Sequence, residues 1–142
     1  MRIAEVLRKK GSDVATISPD ATVTELLAVL AERNVGALVV VENERIVGIV
    51  SERDVVRRAH ERGAALLSAK VAEIMTTDVA TCDPAETVDH LTVLMTQRRI
   101  RHVPVIDNGR LCGIVSIGDV VKNRMDELEE AQKQLQAYIL QG

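Results

Sequence analysis

Apolar and polar positions alternate in a pattern that occurs twice along the chain. Val23, Leu26, Leu27 and Leu30 recur at i, i+3, i+4 and i+7, the spacing of one helix face. Val88, Leu91, Leu94 and Met95, at i, i+3, i+6 and i+7, form a second inward stripe further on. Thr22 stands before the first stripe with Glu25 three residues later, a capping-box pattern, and Thr87 opens the second. Ahead of each helix a short strand is expected, over residues 14–17 and 79–82, ending before Pro19 and Pro84. After each helix the pattern predicts a hairpin, with strands over 37–41 and 46–50 and again over 103–106 and 111–115. Asn108-Gly109 is a strong signal for the second hairpin's turn. A closing helix begins at Ser51 in one stretch and Ser116 in the other.

The two stretches are one duplicated unit. Residues 14–57 lie over 79–122 without gaps, and 18 of the 44 aligned pairs are identical. Gly48-Ile49-Val50-Ser51 matches Gly113-Ile114-Val115-Ser116, and Asp54-Val55-Val56 matches Asp119-Val120-Val121. The expected class is α+β: two βαββα repeats packed with pseudo-twofold symmetry, because a strand-helix-strand crossover leaves one apolar sheet face that a single copy would expose. The expected segments are a helical lead-in over 1–13, the first repeat over 14–60, a linker over 61–78, the second repeat over 79–124 and an amphipathic helix over 125–142. Ile3, Val6 and Leu7 predict a short helix before Gly11. The linker is expected to hold a long helix from about Glu52, a loop near Gly63 and a short helix. Met125, Leu128, Leu135 and Ile139 follow coiled-coil spacing, with Gln132 at the remaining core position. That helix either docks on its own module or joins a second copy.

Composition narrows the chemistry. Tyr138 is the only aromatic residue, so a planar ligand would be held by aliphatic side chains. The net charge of −3 gives no footprint for duplex DNA, and nucleic acid is not an expected partner. No apolar run approaches a membrane span, and the charged first ten residues hold no signal-peptide core, so a cytoplasmic protein with no membrane partner is expected. Cys82 and Cys112 sit in apolar runs and read as buried structural thiols. His60, His90 and His102 are scattered, without metal-ligand spacing, so no metal is expected. There is no phosphate-binding P-loop and no Gly-x-Ser-x-Gly, and the chain reads as a non-enzyme.

A proline after the first strand, an apolar helix, a hairpin and then Gly-h-h-Ser-x-x-Asp (h, apolar), twice in tandem, resembles the CBS domain family, named for cystathionine β-synthase. The segment Lys70-Val71-Ala72-Glu73-Ile74-Met75-Thr76 resembles the stretch that introduces such a domain. The resemblance covers about residues 1–124 and is nearest to short stand-alone bacterial pairs. It implies a regulatory Bateman module that binds AMP, ADP, ATP, NAD or S-adenosylmethionine, forms a homodimer and signals through its assembly state or an unidentified effector protein. It also implies that each motif aspartate accepts from ribose hydroxyls, with the serine near phosphate and apolar residues of the other copy around adenine. On that pattern Ser51, Arg53 and Asp54 join Val79, Ala80, Ile100, Arg101, His102 and Pro104. Ser116, Gly118 and Asp119 join Val14, Ala15, Val35 and Ala37.

A carboxylate suits a ribose because its oxygens accept from neighbouring hydroxyls, and a helix start adds backbone donors for phosphate. The same Ser-x-x-Asp is also a capping pattern, so capping and ligand binding both stay open. Arg98 and Arg99 follow a helix, where cations complement its dipole. Arg101 and His102 point to phosphate contact, with Arg53, Arg57 and Arg58 as further candidates. The Asp54 cleft is expected to hold phosphate better, and the Asp119 cleft to be poor in charge.

Overall fold

The structure, a computed structural model, describes residues 1–141. Gly142, the last residue of the expected C-terminal segment, lies outside the described residues. The chain divides into two compact units. One spans Asp13–Thr81, and the other joins Met1–Ser12 to the chain from Cys82 onward.

In the Asp13–Thr81 unit, β1 (Thr16–Ile17), β2 (Ala37–Glu42) and β3 (Arg45–Ser51) form a sheet in the order β1-β2-β3. Strand β1 runs parallel to β2, and β3 antiparallel to it. Between β1 and β2 runs α2 (Val23–Arg33), capped by Thr22 Oγ1, which accepts from Glu25 N at 3.2 Å. At its other end Asn34 takes the left-handed conformation. The hairpin turn has Asn43 and Glu44 both at positive φ, 52° and 66°, the pairing whose twist matches that of the strands. Helix α3 (Glu52–Arg62) follows β3, then 3₁₀ turns at Gly63–Ser68 and Val71–Glu73, so the expected loop at Gly63 is itself helical. Val23, Leu26 and Leu30 meet Leu38, Val40, Val50, Leu66, Val71 and Ile74 in the core. Leu27 does not join them. It is 38% exposed, at the flank of a buried arc narrower than the apolar stripe.

The other unit contains α1 (Ile3–Lys10), α4 (Val88–Arg98), the antiparallel pair β4 (His102–Asp107) and β5 (Arg110–Ser116), and α5 (Ile117–Gln141). Asn108 and Gly109 repeat the positive-φ turn. The register shift after Val40 in β2 recurs after Val105 in β4. Val88, Leu91 and Met95 are buried, as the pattern predicts, with Leu94 packed against that core.

The expected strand at 79–82 is absent, and only a bridge from Cys82 to Val105 remains. Pro104 supplies the reason. It stands where the first copy has Val39, whose N–H donates to Ala15 O at 3.4 Å. Proline has no N–H to give, so pairing begins only at Cys82, whose N–H donates to Pro104 O at 3.0 Å.

Each unit closes over a lead-in segment, and the two segments are equivalent. Ile3 N and Ala4 N donate to Glu86 O and Pro84 O, just as Val71 N and Ala72 N donate to Ala21 O and Pro19 O. Ile3-Ala4-Glu5-Val6-Leu7 matches Val71-Ala72-Glu73-Ile74-Met75 in sequence. The segment before the first repeat therefore folds with the second repeat, and the segment between the repeats folds with the first.

Candidate functional site

Ser51 and Ser116 end β3 and β5 and begin the helices that follow, and both build a reciprocal cap. Asp54 Oδ2 accepts from Ser51 N at 2.8 Å and from Ser51 Oγ at 3.1 Å, while Asp54 N donates to Ser51 Oγ at 3.3 Å. Asp119 does the same with Ser116, at 2.8, 3.0 and 3.2 Å. The capping reading of Ser-x-x-Asp is thus realised in both copies. Each cap uses Oδ2, leaving Oδ1 of each half-buried aspartate outside it. A carboxylate oxygen outside the cap can accept hydroxyls, and it sits at a helix start, where the dipole favours an anion.

The turns differ in one residue that the sequence did not reveal as part of a site. Lys10 Nζ donates to Asp119 Oδ2 at 2.6 Å and to Ile114 O at 2.8 Å. Burial works against ionisation of Asp119. The hydrogen bonds from Lys10 and Ser116 and the attraction of the ammonium outweigh it, and hold the carboxyl below the usual aspartate range. The Asp119 turn is therefore not poor in charge. Lys10 lies ahead of the gap-free repeat, which begins at Val14, so no aligned partner pointed to it.

The remaining expected residues fall as follows. Ala37 is buried and pairs with Ser51 across β2 and β3, and Glu52 N donates to Gly36 O at 3.0 Å. Val35 follows the end of α2 and lines a groove of about 380 Å³ with Leu27, Leu30, Asn34 and Glu52. Val14 and Ala15 are partly buried ahead of β1, Val79 and Ala80 are partly buried, and Arg53 is exposed on α3. In the other unit His102, partly buried, pairs with Ser116, and Ile117 N donates to Arg101 O at 2.8 Å. Pro104 is buried, Ile100 packs against the core, and Arg101 and Gly118 are exposed. Within each unit the structure thus brings the serine turn beside that unit's own β2 or β4 start. Arg98 ends α4, and Arg99 takes the left-handed capping position with its N–H on Met95 O. Arg58 pairs with Glu61.

Comparison with known proteins fits this geometry. The sequence profile of the CBS domain matches residues 3–61 and 71–126. The chain belongs to the CBS domain family. Both CBS matches include a lead-in segment, Ile3 onward and Val71 onward. The CBS domain-containing protein CBSX3, mitochondrial, of Arabidopsis thaliana is 38% identical over 149 residues, covering 99% of this chain and 72% of that protein. The crystal structure of the CBS-domain containing protein ATU1752 from Agrobacterium tumefaciens superposes with a TM-score of 0.85. It is 43% identical and covers 87% of this chain and 99% of that one. The CBS domain pair of protein MJ0100, solved in complex with methylthioadenosine and S-adenosyl-L-methionine, has a TM-score of 0.78 at 26% identity, covering 89% and 98%. The chain is thus a CBS pair of mixed helices and strands. Among the described residues no helix is long and apolar enough to cross a membrane.

Proposed function

We propose that this CBS pair is a non-catalytic regulatory sensor in the cytoplasm. It binds an adenosine ligand, AMP, ADP, ATP or NAD, and passes its occupancy on through an effector protein or a change of assembly. The observation that carries the reading is the duplicated turn, in which an aspartate is locked at a helix start by its own serine with Oδ1 left over. A ribose can place its hydroxyls on that oxygen without breaking the cap. The adenosine ligands of the MJ0100 pair support the ligand class, and S-adenosylmethionine is tested beside the nucleotides.

A thermal-shift screen against these ligands tests the reading. A ligand that binds only the folded state at 100 times its dissociation constant adds about 2.7 kcal/mol. For a chain of this size that is a rise of about 8 °C. No shift with any of them, from folded protein free of nucleotide, contradicts the reading.

A second reading, a structural or adaptor homodimer with idle turns, is favoured by α5. Its Met125, Leu128, Leu135 and Ile139 are 56–65% exposed, so the stripe is not docked on the chain's own described residues. That reading expects a stable dimer that no nucleotide alters.

A further inference from the structure

The two Ser-x-x-Asp turns share a geometry but not a charge. Helix α1 buries Ile3, Val6 and Leu7, and this fixes where its last residue, Lys10, can reach. In the first copy the carbonyl equivalent to Ile114 O is Ile49 O, which accepts from the backbone N–H of Thr76 at 2.9 Å. In the second copy the Lys10 ammonium fills that place and at the same time meets Asp119. An ammonium has three donors. Two are committed here, and the third has no partner among the described residues.

We infer that Lys10 sets the ligand preference of the Asp119 turn, so that this turn takes a phosphate-bearing nucleoside over a neutral nucleoside or a sulfonium cation. The inference rests on the adenosine reading above. A lone carboxylate repels phosphate and attracts a sulfonium. An ammonium 2.6 Å away brings the net charge of the pair to zero and removes that bias. The ammonium's remaining donor then supplies a charge-assisted contact to a phosphate oxygen. A ribose hydroxyl, a neutral donor, does not displace the ammonium from Oδ2, so it binds Oδ1 with Lys10 still in place. Among the described residues no such cation meets the Asp54 cap, which is built from Ser51 and Asp54.

The test is calorimetric titration of the full chain with AMP, adenosine and S-adenosylmethionine. Asp54→Ala is used to isolate the Asp119 turn, alone and combined with Lys10→Met or Lys10→Arg. With Asp54→Ala alone, AMP binds more tightly than adenosine. Adding Lys10→Met weakens AMP about ten-fold, the effect of losing about 1.4 kcal/mol. Adenosine is unchanged, S-adenosylmethionine tightens, and Lys10→Arg restores AMP. An AMP-to-adenosine ratio that Lys10→Met leaves unchanged overturns the role of Lys10. Binding by the wild type that Asp54→Ala abolishes overturns it too, while sparing the adenosine reading. A wild type that binds none of the three removes that reading, and this inference with it.

Discussion

Leu7 packs against the bare backbone of Gly113 so closely that a Cβ there would lie 2.6 Å from Leu7 Cδ2. Met75 stands over Gly48 in the same way, with its Sδ at 2.7 Å and Thr76 O at 2.9 Å from the corresponding position. The glycine of each Gly-h-h-Ser run therefore serves the fold, since it admits the lead-in segment onto the strand that carries the site serine. The two contacts differ in what must yield. At Gly113 only the end of a flexible side chain is in the way, whereas at Gly48 a backbone carbonyl is. Gly48→Ala is expected to destabilise by about 1–3 kcal/mol, the usual range for overpacking, and Gly113→Ala by less. Urea unfolding of the two variants checks the order.

Asp119 gives the fold a pH dependence of known sign. Its folded pKa lies below the ordinary value, with burial opposing and the Lys10 and Ser116 contacts prevailing. The stability it contributes is complete at neutral pH, and is lost as pH falls from about 4 through the lower folded value. Lys10→Met leaves burial opposed only by Ser116, so the folded pKa rises toward the unfolded value; stability at neutral pH is expected to fall and the further loss on acidification to shrink. Denaturant midpoints measured between neutral and acid pH read this directly.

Cys82 is buried, and burial, with smaller contributions from Glu86, Cys112 and Asp83, pushes its thiol up to about 12. Its Sγ lies 3.8 Å from Pro104 O. The neutral thiol is unreactive, because the thiolate is the nucleophile. Labelling of the native protein at pH 8 is expected to spare Cys82 and to reach it after unfolding. The folded state favours the protonated form, so stability holds below about pH 9 and falls as pH rises from there toward 12.

Glu44 occupies a left-handed position that glycine adopts without steric cost, as Gly109 does in the second hairpin. Glu44→Gly is expected to stabilise by about 0.5–1 kcal/mol, seen as a rise in melting temperature of about 1.5–3 °C.

The regular elements were legible because periodicity is a local signal. The hairpin strands lie within one residue of their expected limits, and the caps at Thr22, Thr87, Ser51 and Ser116 are where their side chains imply. What escaped depends on partners distant in sequence. The missing strand before Cys82 follows from an N–H that Pro104, more than twenty residues later, cannot supply. Leu27 shares the stripe of Leu26 and Leu30, but periodicity does not report how wide the covering surface is. Lys10 is brought to Asp119 by a lead-in segment that folds with the far repeat. The match of 3–7 with 71–75 was the available signal, and it lies outside the gap-free alignment.

The exposed stripe of α5 is expected to mediate self-association. Leu128→Glu combined with Leu135→Glu should shift the chain toward monomer in sedimentation velocity. Helix content should be unchanged, since both residues are exposed and the buried anchors of α5 are Val120 and Asn123.

The central claim is that the two serine-capped aspartates hold an adenosine ligand. Calorimetric titration of AMP into the wild type, Asp54→Ala, Asp119→Ala and the double variant tests it most directly. The account predicts binding by the wild type, a reduced number of sites in each single variant and none in the double variant. Binding retained by a folded double variant would contradict it.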